Sequence, residues 1–298
     1  MNRKVFILAI ITIIGWASGF AGISASLNNG FSPVNIILYR LLIASLLFLL
    51  YALSPRTNIR LPRKEDLLLI ITLGLIGITF YHLGVTYGQL HIEAGTASMI
   101  VGAAPIFTTI IAVIFLKERM EWYGWVGLFV GFIGVSLISI GTGNISFHFS
   151  KGLLPVFFAT LCTSILFVYQ KPLLRKYHPV ELTAYFTWTA TIPMLIFLPS
   201  LMQNIQTTSL EANLAAIYVG VVPTAACYAL WAVVTSMGDV SKISSLIYLE
   251  PPFAIIIAWI WLNELPSILS MVGGFITIAS VAIVNYIGNK RELRKGAT

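Results

Sequence analysis

The sequence predicts an all-α membrane protein of ten transmembrane helices, arranged as two five-helix inverted repeats. The composition, the spacing of the apolar segments and an internal repeat predict this fold. Of the 298 residues, 58% are hydrophobic and 10% are charged, whereas about a quarter of the residues in a soluble domain are charged. Lipid is therefore expected to be the solvent for most of the chain.

The helices are predicted from runs of apolar residues, because a helix that crosses a bilayer needs about 20 of them. Such runs lie near residues 5–28, 33–53, 67–90, 94–116, 122–141, 152–170, 180–200, 213–235, 243–262 and 267–287. The connections between them are too short for a soluble domain. The bundle itself is therefore expected to carry the function.

The orientation follows from the excess of Lys and Arg that cytoplasmic loops carry. With the N-terminus inside, ten helices place sixteen of the 18 basic residues on the cytoplasmic side, while Lys151 falls outside and Arg40 lies within a helix. We therefore expect a multi-pass protein of the cytoplasmic membrane with both termini in the cytoplasm. The net charge of +7 then reflects topology and contact with anionic membrane lipids, and no nucleic-acid partner is expected.

The chain repeats itself at a constant shift of 146 residues. This shift aligns Ser18 with Ser164, Pro33 with Pro179, Tyr39 with Tyr185, Pro105 with Pro251, and Glu118 with Glu264. The expected repeats are residues 1–146 and 147–298. Because five helices are an odd number, the second repeat must enter the membrane from the opposite side, with Glu118 in the cytoplasm and Glu264 outside. Inverted repeats are typical of secondary transporters, whose substrate site lies between the halves.

One stretch of each repeat resembles a known family. The strings "APIFTTIIAVIFLKERMEWYGWVGLFVGFIGVSLI" and "EPPFAIIIAWIWLNELPSILSMVGGFITIASVAIV" are similar to the two copies of the EamA domain in the drug/metabolite transporter superfamily. Each has a proline-bearing helix, an apolar run into a Glu, and a glycine-rich helix. The second turn departs from the pattern, since it reads Asn263-Glu264-Leu265 without basic residues. The resemblance implies a ten-helix exporter or exchanger of amino acids, related metabolites or amphipathic drugs.

Three ionisable residues at membrane depth, Arg40, Glu250 and His82, are candidates for the site, because such residues are costly in lipid. Arg40 suits a carboxylate clamp, but a structural Arg bonded to backbone carbonyls or extended towards the surface is an equal alternative. Glu250 precedes Pro251 and Pro252 and suits an ammonium group or a coupling proton. Its alternative is a Glu that satisfies backbone groups freed by the prolines.

Polar and aromatic positions on the predicted helices extend the candidate cavity. Thr79, His82, Thr86 and Gln89 share one helix face, and Thr224, Tyr228 and Trp231 share the equivalent face in the second half. Interhelical packing is the alternative for these residues. The remaining candidates, which have weaker signals, are Trp16, Ser18, Ser98, Thr163, Phe167 and Gln170. The helices expected to line the cavity are the first, third, fourth, sixth, eighth and ninth.

Other chemistry is not indicated by the sequence. Cys162 and Cys227 have no redox or metal spacing and are expected to be packing residues. No phosphate-binding loop or metal-ligand cluster is present in the sequence, so no cofactor is expected and transport would be secondary.

The leading hypothesis is export of amino acids or similar metabolites, with a possible homodimer. The alternatives are a membrane enzyme for lipid-linked substrates, with His82 and Glu250 as acid and base, and a channel or scramblase.

Overall fold

The structure is a computed structural model that describes residues 3–55, 57, 59–141, 151–262 and 267–284. These residues form helices and short connections, with no β-strand among them. We label the helical segments α1 (Arg3–Asn28), α2 (Pro33–Leu53), α3 (Lys64–Gly88), α4 (Ala94–Phe115), α5 (Trp122–Gly141), α6 (Leu153–Leu173), α7 (Pro179–Thr207), α8 (Leu210–Ser236), α9 (Val240–Leu262) and α10 (Ile268–Ala282). The sequence-predicted Glu264 lies outside the described residues.

Eight of these segments, α1–α4 and α6–α9, are long and apolar enough to cross a membrane. Shorter apolar helices lie at Trp122–Leu137, within α5, and at Met271–Ala282, within α10. Large apolar side chains cover the outside of the bundle; Ile114, Ile196 and Phe275 each expose at least 74% of their surface. An apolar exterior of this kind suits contact with lipid chains.

Helix α7 is longer than its apolar run, because its last turns are amphipathic. Leu201 is buried while Gln203, Asn204 and Gln206 are polar. The Asn204 side-chain oxygen accepts hydrogen bonds from the Ser32 backbone N–H and the Asn35 side chain, both at 2.9 Å. These bonds hold the end of α7 against the start of α2.

The first helix of each predicted half packs against the third helix of the other half. Gly15, Gly19 and Gly22 of α1 face Cys227, Pro223 and Val219 of α8, in reverse order along the chain. Gly77, Gly84 and Gly88 of α3 face Leu166, Ala159 and Val156 of α6, again in reverse order. The absence of side chains at these glycines lets both antiparallel helix pairs approach closely.

Helices at equivalent places in the two halves also touch each other. The hydroxyl groups of Ser45 in α2 and Thr191 in α7 lie 2.8 Å apart, and these residues are separated by the repeat distance of 146. In α5 and α10, Gly134 lies against Thr277 and Gly131 against Ser280. The same shift of 146 relates residue 131 to 277 and residue 134 to 280, so these two contacts are equivalent by the repeat. This pattern is that of a local two-fold axis.

The third helix of each half contains a π-helical turn. The turn covers Leu75–Phe80 in α3 and Gly220–Ala226 in α8, which coincide almost completely after a shift of 146 residues. Pro223 lies inside the α8 turn and cannot donate a backbone hydrogen bond. Such turns occur frequently at functional sites.

The glycine contacts predict a difference between two alanine variants. A Cβ atom at Gly84 would lie 2.3 Å from the Pro155 carbonyl oxygen, whereas one at Gly274 would lie 3.9 Å from its nearest neighbour. Gly84→Ala should therefore lower the free energy of unfolding by about 1–3 kcal/mol relative to Gly274→Ala, with helix propensity favouring alanine equally in both. Thermal unfolding in detergent measures the difference, and equal midpoints would contradict the contact between α3 and α6.

Candidate functional site

Two neighbouring cavities lie in the middle of the bundle. The Glu250 cavity has about 260 Å³ of empty space and is lined by Trp16, Tyr81, Val101, Ala104, Thr163, Phe167, Tyr228, Ile247 and Glu250. The Arg40 cavity has about 300 Å³ and is lined by Trp16, Gly19, Phe20, Ile23, Arg40, Tyr81, Val85, Pro223 and Tyr228. Little of either space is wide enough for a water molecule, so the side chains are nearly closed around both.

The helices predicted to line a cavity all contribute to these walls, and α2 adds Arg40. Trp16, Tyr81 and Tyr228 line both cavities and form a shared wall. The Arg40 cavity extends along Phe20 and Ile23, towards the end of the bundle at which α1 ends and α2 begins. The Glu250 cavity lies where α4 is interrupted between Val101 and Ala104, and where α9 changes helix type at Glu250.

Glu250 is positioned by a change of helix type in α9. A 3₁₀ segment, Ser245–Leu249, leads into the α-helix that begins at Glu250 and continues through Pro251 and Pro252. Glu250 is 2% exposed, and its carboxyl group makes no hydrogen bond or ion pair with any described residue. A buried carboxylate without a protein partner is costly, which makes Glu250 the strongest candidate for contact with a ligand.

Arg40 is held by one of its three guanidinium nitrogens. Its Nε atom donates to the Thr224 hydroxyl at 2.7 Å, and this hydroxyl donates to the Val219 carbonyl oxygen at 2.7 Å. Within the described part of the chain, the two Nη atoms have no hydrogen-bond partner and no carboxylate lies within ion-pair distance. The side chain is buried and lines its cavity. No described backbone carbonyl therefore compensates this charge.

Trp16 is the centre of an aromatic cluster beside the carboxylate. Its ring centroid lies 5.7 Å from that of Phe167, 5.5 Å from that of Tyr228 and 5.1 Å from that of Trp231. Its indole N–H donates to the Pro223 carbonyl oxygen at 3.1 Å, in the π-helical turn of α8. This bond fixes the orientation of a ring that lines both cavities.

His82 is packed beside this shared wall and lines neither cavity. It is fully buried, and its ring lies 5.1 Å from that of Tyr81 and 5.9 Å from that of Tyr228. Neither ring nitrogen has a hydrogen-bond partner among the described residues. His82 and Tyr228 are repeat partners at the shift of 146, so their contact lies on the same local two-fold axis as Ser45 and Thr191.

The other candidate residues are buried, mostly in contacts between helices. Ser18 bonds to Tyr218, Thr79 to the Ala190 carbonyl oxygen, Gln89 to Phe20 and Ser24, and Ser98 to the Gly95 carbonyl oxygen. Thr86, Gln170 and Trp231 are buried without lining either cavity, whereas Thr163 and Phe167 line the Glu250 cavity.

Tyr81 is a cavity residue that the sequence interpretation missed. It lies one position before His82, which corresponds to about 100° around a regular helix. Tyr81 is therefore not on the polar helix face that indicated His82. The sequence feature that could have identified Tyr81 as a cavity residue is its hydroxyl group, in a span that is otherwise mainly apolar.

The end of the bundle opposite the Arg40 cavity is held by two charged side chains. The Glu118 carboxylate accepts hydrogen bonds from the backbone N–H groups of Val240 and Ser241, both at 2.9 Å. The Lys171 ammonium group donates to the carbonyl oxygens of Thr235 and Gly238 at 2.5 and 2.6 Å. The two charges therefore fix the connection between α8 and α9, in the orientations that helix dipoles favour.

Comparison with known proteins assigns the chain to a family. The EamA-like transporter family matches residues 3–140 and 150–286, one copy in each half. The chain belongs to the EamA-like transporter family. As a member of this family with many apolar helices, it is a multi-pass membrane protein of the transporter class.

Several relatives of this EamA-like chain are similar over nearly their whole length. The "Uncharacterized transporter YdfC" of Bacillus subtilis is 38% identical over 92% of this chain and 89% of its own. The "Probable terminal-alkyne amino-acid exporter" of Streptantibioticus cattleyicolor is 32% identical over 98% and 97%. The "Probable amino-acid metabolite efflux pump" of Salmonella typhimurium is 23% identical over 95% of both chains.

A solved crystal structure shows the same fold. It superposes with a TM-score of 0.78 over 98% of this chain and all of its own, at 16% identity.

The environment of His82 predicts that a nonpolar replacement is tolerated. Since neither ring nitrogen is hydrogen-bonded, His82→Leu loses no polar contact and removes two unsatisfied groups. The free energy of unfolding should change by less than about 1 kcal/mol, and substrate binding should persist. Unfolding in detergent and a transport assay measure the two effects; loss of transport at unchanged stability would show that His82 acts in the site.

Proposed function

We propose that this chain is a secondary transporter of the bacterial cytoplasmic membrane that exports amino acids or related small metabolites by alternating access. Its ten transmembrane helices would form two inverted five-helix repeats, with both termini in the cytoplasm. The observation that carries the proposal is the presence of two buried ionisable side chains, Arg40 and Glu250, that line cavities between the halves. The two Nη groups of Arg40 and the carboxyl group of Glu250 have no hydrogen-bond partner among the described residues.

The cost of burial is the physical reason for assigning these charges to a substrate. An ionised side chain at membrane depth is unfavourable unless it is paired or hydrated. A residue that served only the fold would be more stable with its donors or acceptors satisfied by the protein. The free Nη groups of Arg40 and the free carboxylate of Glu250 are therefore available for a polar molecule that enters the cavities.

The inverted arrangement is supported by contacts between equivalent helices. Helix α2 packs antiparallel to α7, since Asn35 bonds to Ser200 near one end while Ser45 meets Thr191 further along. Helix α5 is likewise antiparallel to α10. Two repeats whose matching helices run in opposite directions can exchange conformations, which is the basis of alternating access in transporters with inverted repeats.

The proposed direction rests on the names of two relatives, whereas the closed end of the bundle indicates only which conformation the structure has. In the predicted orientation, Glu118 and Lys171 lie on the cytoplasmic side and the Arg40 cavity lies towards the outside. The conformation would therefore be closed to the cytoplasm. Two relatives of this chain are named as amino-acid or metabolite exporters, and we transfer that substrate class as part of the proposal.

The proposal predicts that Glu250→Gln abolishes or uncouples transport without loss of the protein from the membrane. The amide keeps the shape of the side chain but removes the charge that an ammonium group or proton would use. Counterflow of a panel of amino acids in proteoliposomes, with and without a pH gradient, measures the effect. Glu211→Gln, at an exposed carboxylate in the first turn of α8, is the matched control and should transport normally.

Two outcomes would contradict this proposal. Full activity in Glu250→Gln would remove Glu250 from the site. Failure of the unsubstituted protein to move any amino acid or metabolite in the panel would remove the transport function itself.

A further inference from the structure

Two side chains of opposite charge type line two cavities that share an aromatic wall. Trp16, Tyr81 and Tyr228 line both cavities, whereas Arg40 lines only one of them and Glu250 only the other. The two charged groups do not form an ion pair with each other. We propose that the substrate is a zwitterion, whose carboxylate binds Arg40 and whose ammonium group binds Glu250 along this wall. This inference rests on the transport function proposed above.

The free part of Arg40 suits a carboxylate. Because Thr224 occupies the Nε atom, the two Nη groups remain as an end-on fork with parallel N–H donors. A fork of this kind can hold both oxygens of a carboxylate, and such charge-assisted pairs are stronger than neutral hydrogen bonds.

The surroundings of Glu250 suit an ammonium group. The carboxylate supplies the negative charge, and the rings of Trp16, Phe167 and Tyr228 line the same cavity. Aromatic faces attract cations in sites removed from water. The walls otherwise consist mainly of apolar side chains, which suits an apolar group attached to the charged ends.

Charge balance favours a molecule that carries both charges. A simple amine would compensate Glu250 but leave Arg40 unpaired, and a simple carboxylate would leave Glu250 unpaired. An unpaired charge is costly away from water. A zwitterion compensates both residues at once and adds no net charge to the buried site.

The test compares ligands that differ by one charged group. Binding of L-norvaline and L-phenylalanine to the detergent-purified protein is measured by calorimetry, beside their amines (butylamine and phenethylamine) and their acids (pentanoate and 3-phenylpropanoate). At least one of the two amino acids should bind about 10- to 100-fold more tightly than its amine and its acid, which is the effect of losing one charge-assisted contact.

Variants assign each charge to its residue. Arg40→Gln should reduce the affinity for the amino acid to that for the amine while leaving the affinity for the amine unchanged. Glu250→Gln should reduce the affinity for the amino acid to the affinity for the acid. Arg40→Lys, which keeps the charge but loses the fork, should bind the amino acid with intermediate affinity. Arg175→Gln, at an exposed position between α6 and α7, is the matched control and should bind normally.

Three results would overturn the zwitterion assignment. They are equal binding of amine and amino acid, equal binding of acid and amino acid, and no binding of any of the six compounds. These comparisons can be made on the unsubstituted protein, so they do not depend on the folding of a variant. Transport of uncharged metabolites would contradict zwitterion recognition alone, whereas zwitterion binding without flux would contradict the transport function alone.

Discussion

Antiparallel contact between helices at equivalent places in the two halves is the interaction on which the rest of the structure depends. The hydroxyl pair of Ser45 and Thr191 and the ring pair of His82 and Tyr228 each join residues separated by the repeat distance of 146. A residue can meet its own repeat partner only near an axis that exchanges the two halves. The cavities lie beside this axis, because Tyr228, which contacts its repeat partner His82, lines both of them.

The same arrangement explains how a chain with 10% charged residues keeps two charges at its centre. Small residues bring the surrounding helices close together, and interruptions in α4 and α9 leave space where the helices cross. The π-helical turn in α8 places Thr224 beside Arg40 and the Pro223 carbonyl beside Trp16. The two halves differ here, since the repeat partner of Arg40 is Phe186 and that of Glu250 is Ala104. Thus, a symmetric framework carries an asymmetric candidate site.

Much of the fold could be predicted from the sequence, because the requirement for apolar residues at membrane depth marks helices directly. Arg40 and Glu250 were proposed from the sequence because an ionisable residue in an apolar run is costly, and the structure places both beside cavities. The positions of His82 and Tyr81 relative to the cavities could not be predicted, because a π-helical turn and the packing of α3 decide which residue points inwards. The extension of α7 to Thr207 was also missed, since its polar last turns are held by contacts with α2 that local composition does not reveal.

The inverted arrangement is tested most directly by the location of two equivalent loops. Asn29 and Arg175 are exposed residues separated by the repeat distance of 146, in the connections that follow α1 and α6. Single cysteines at these positions can be labelled in intact cells with a membrane-impermeant maleimide. The unsubstituted protein, in which Cys162 and Cys227 are buried, is the control. Inverted repeats predict labelling from outside at position 29 and only after membrane disruption at position 175. Labelling of both positions from the same side would contradict the inversion.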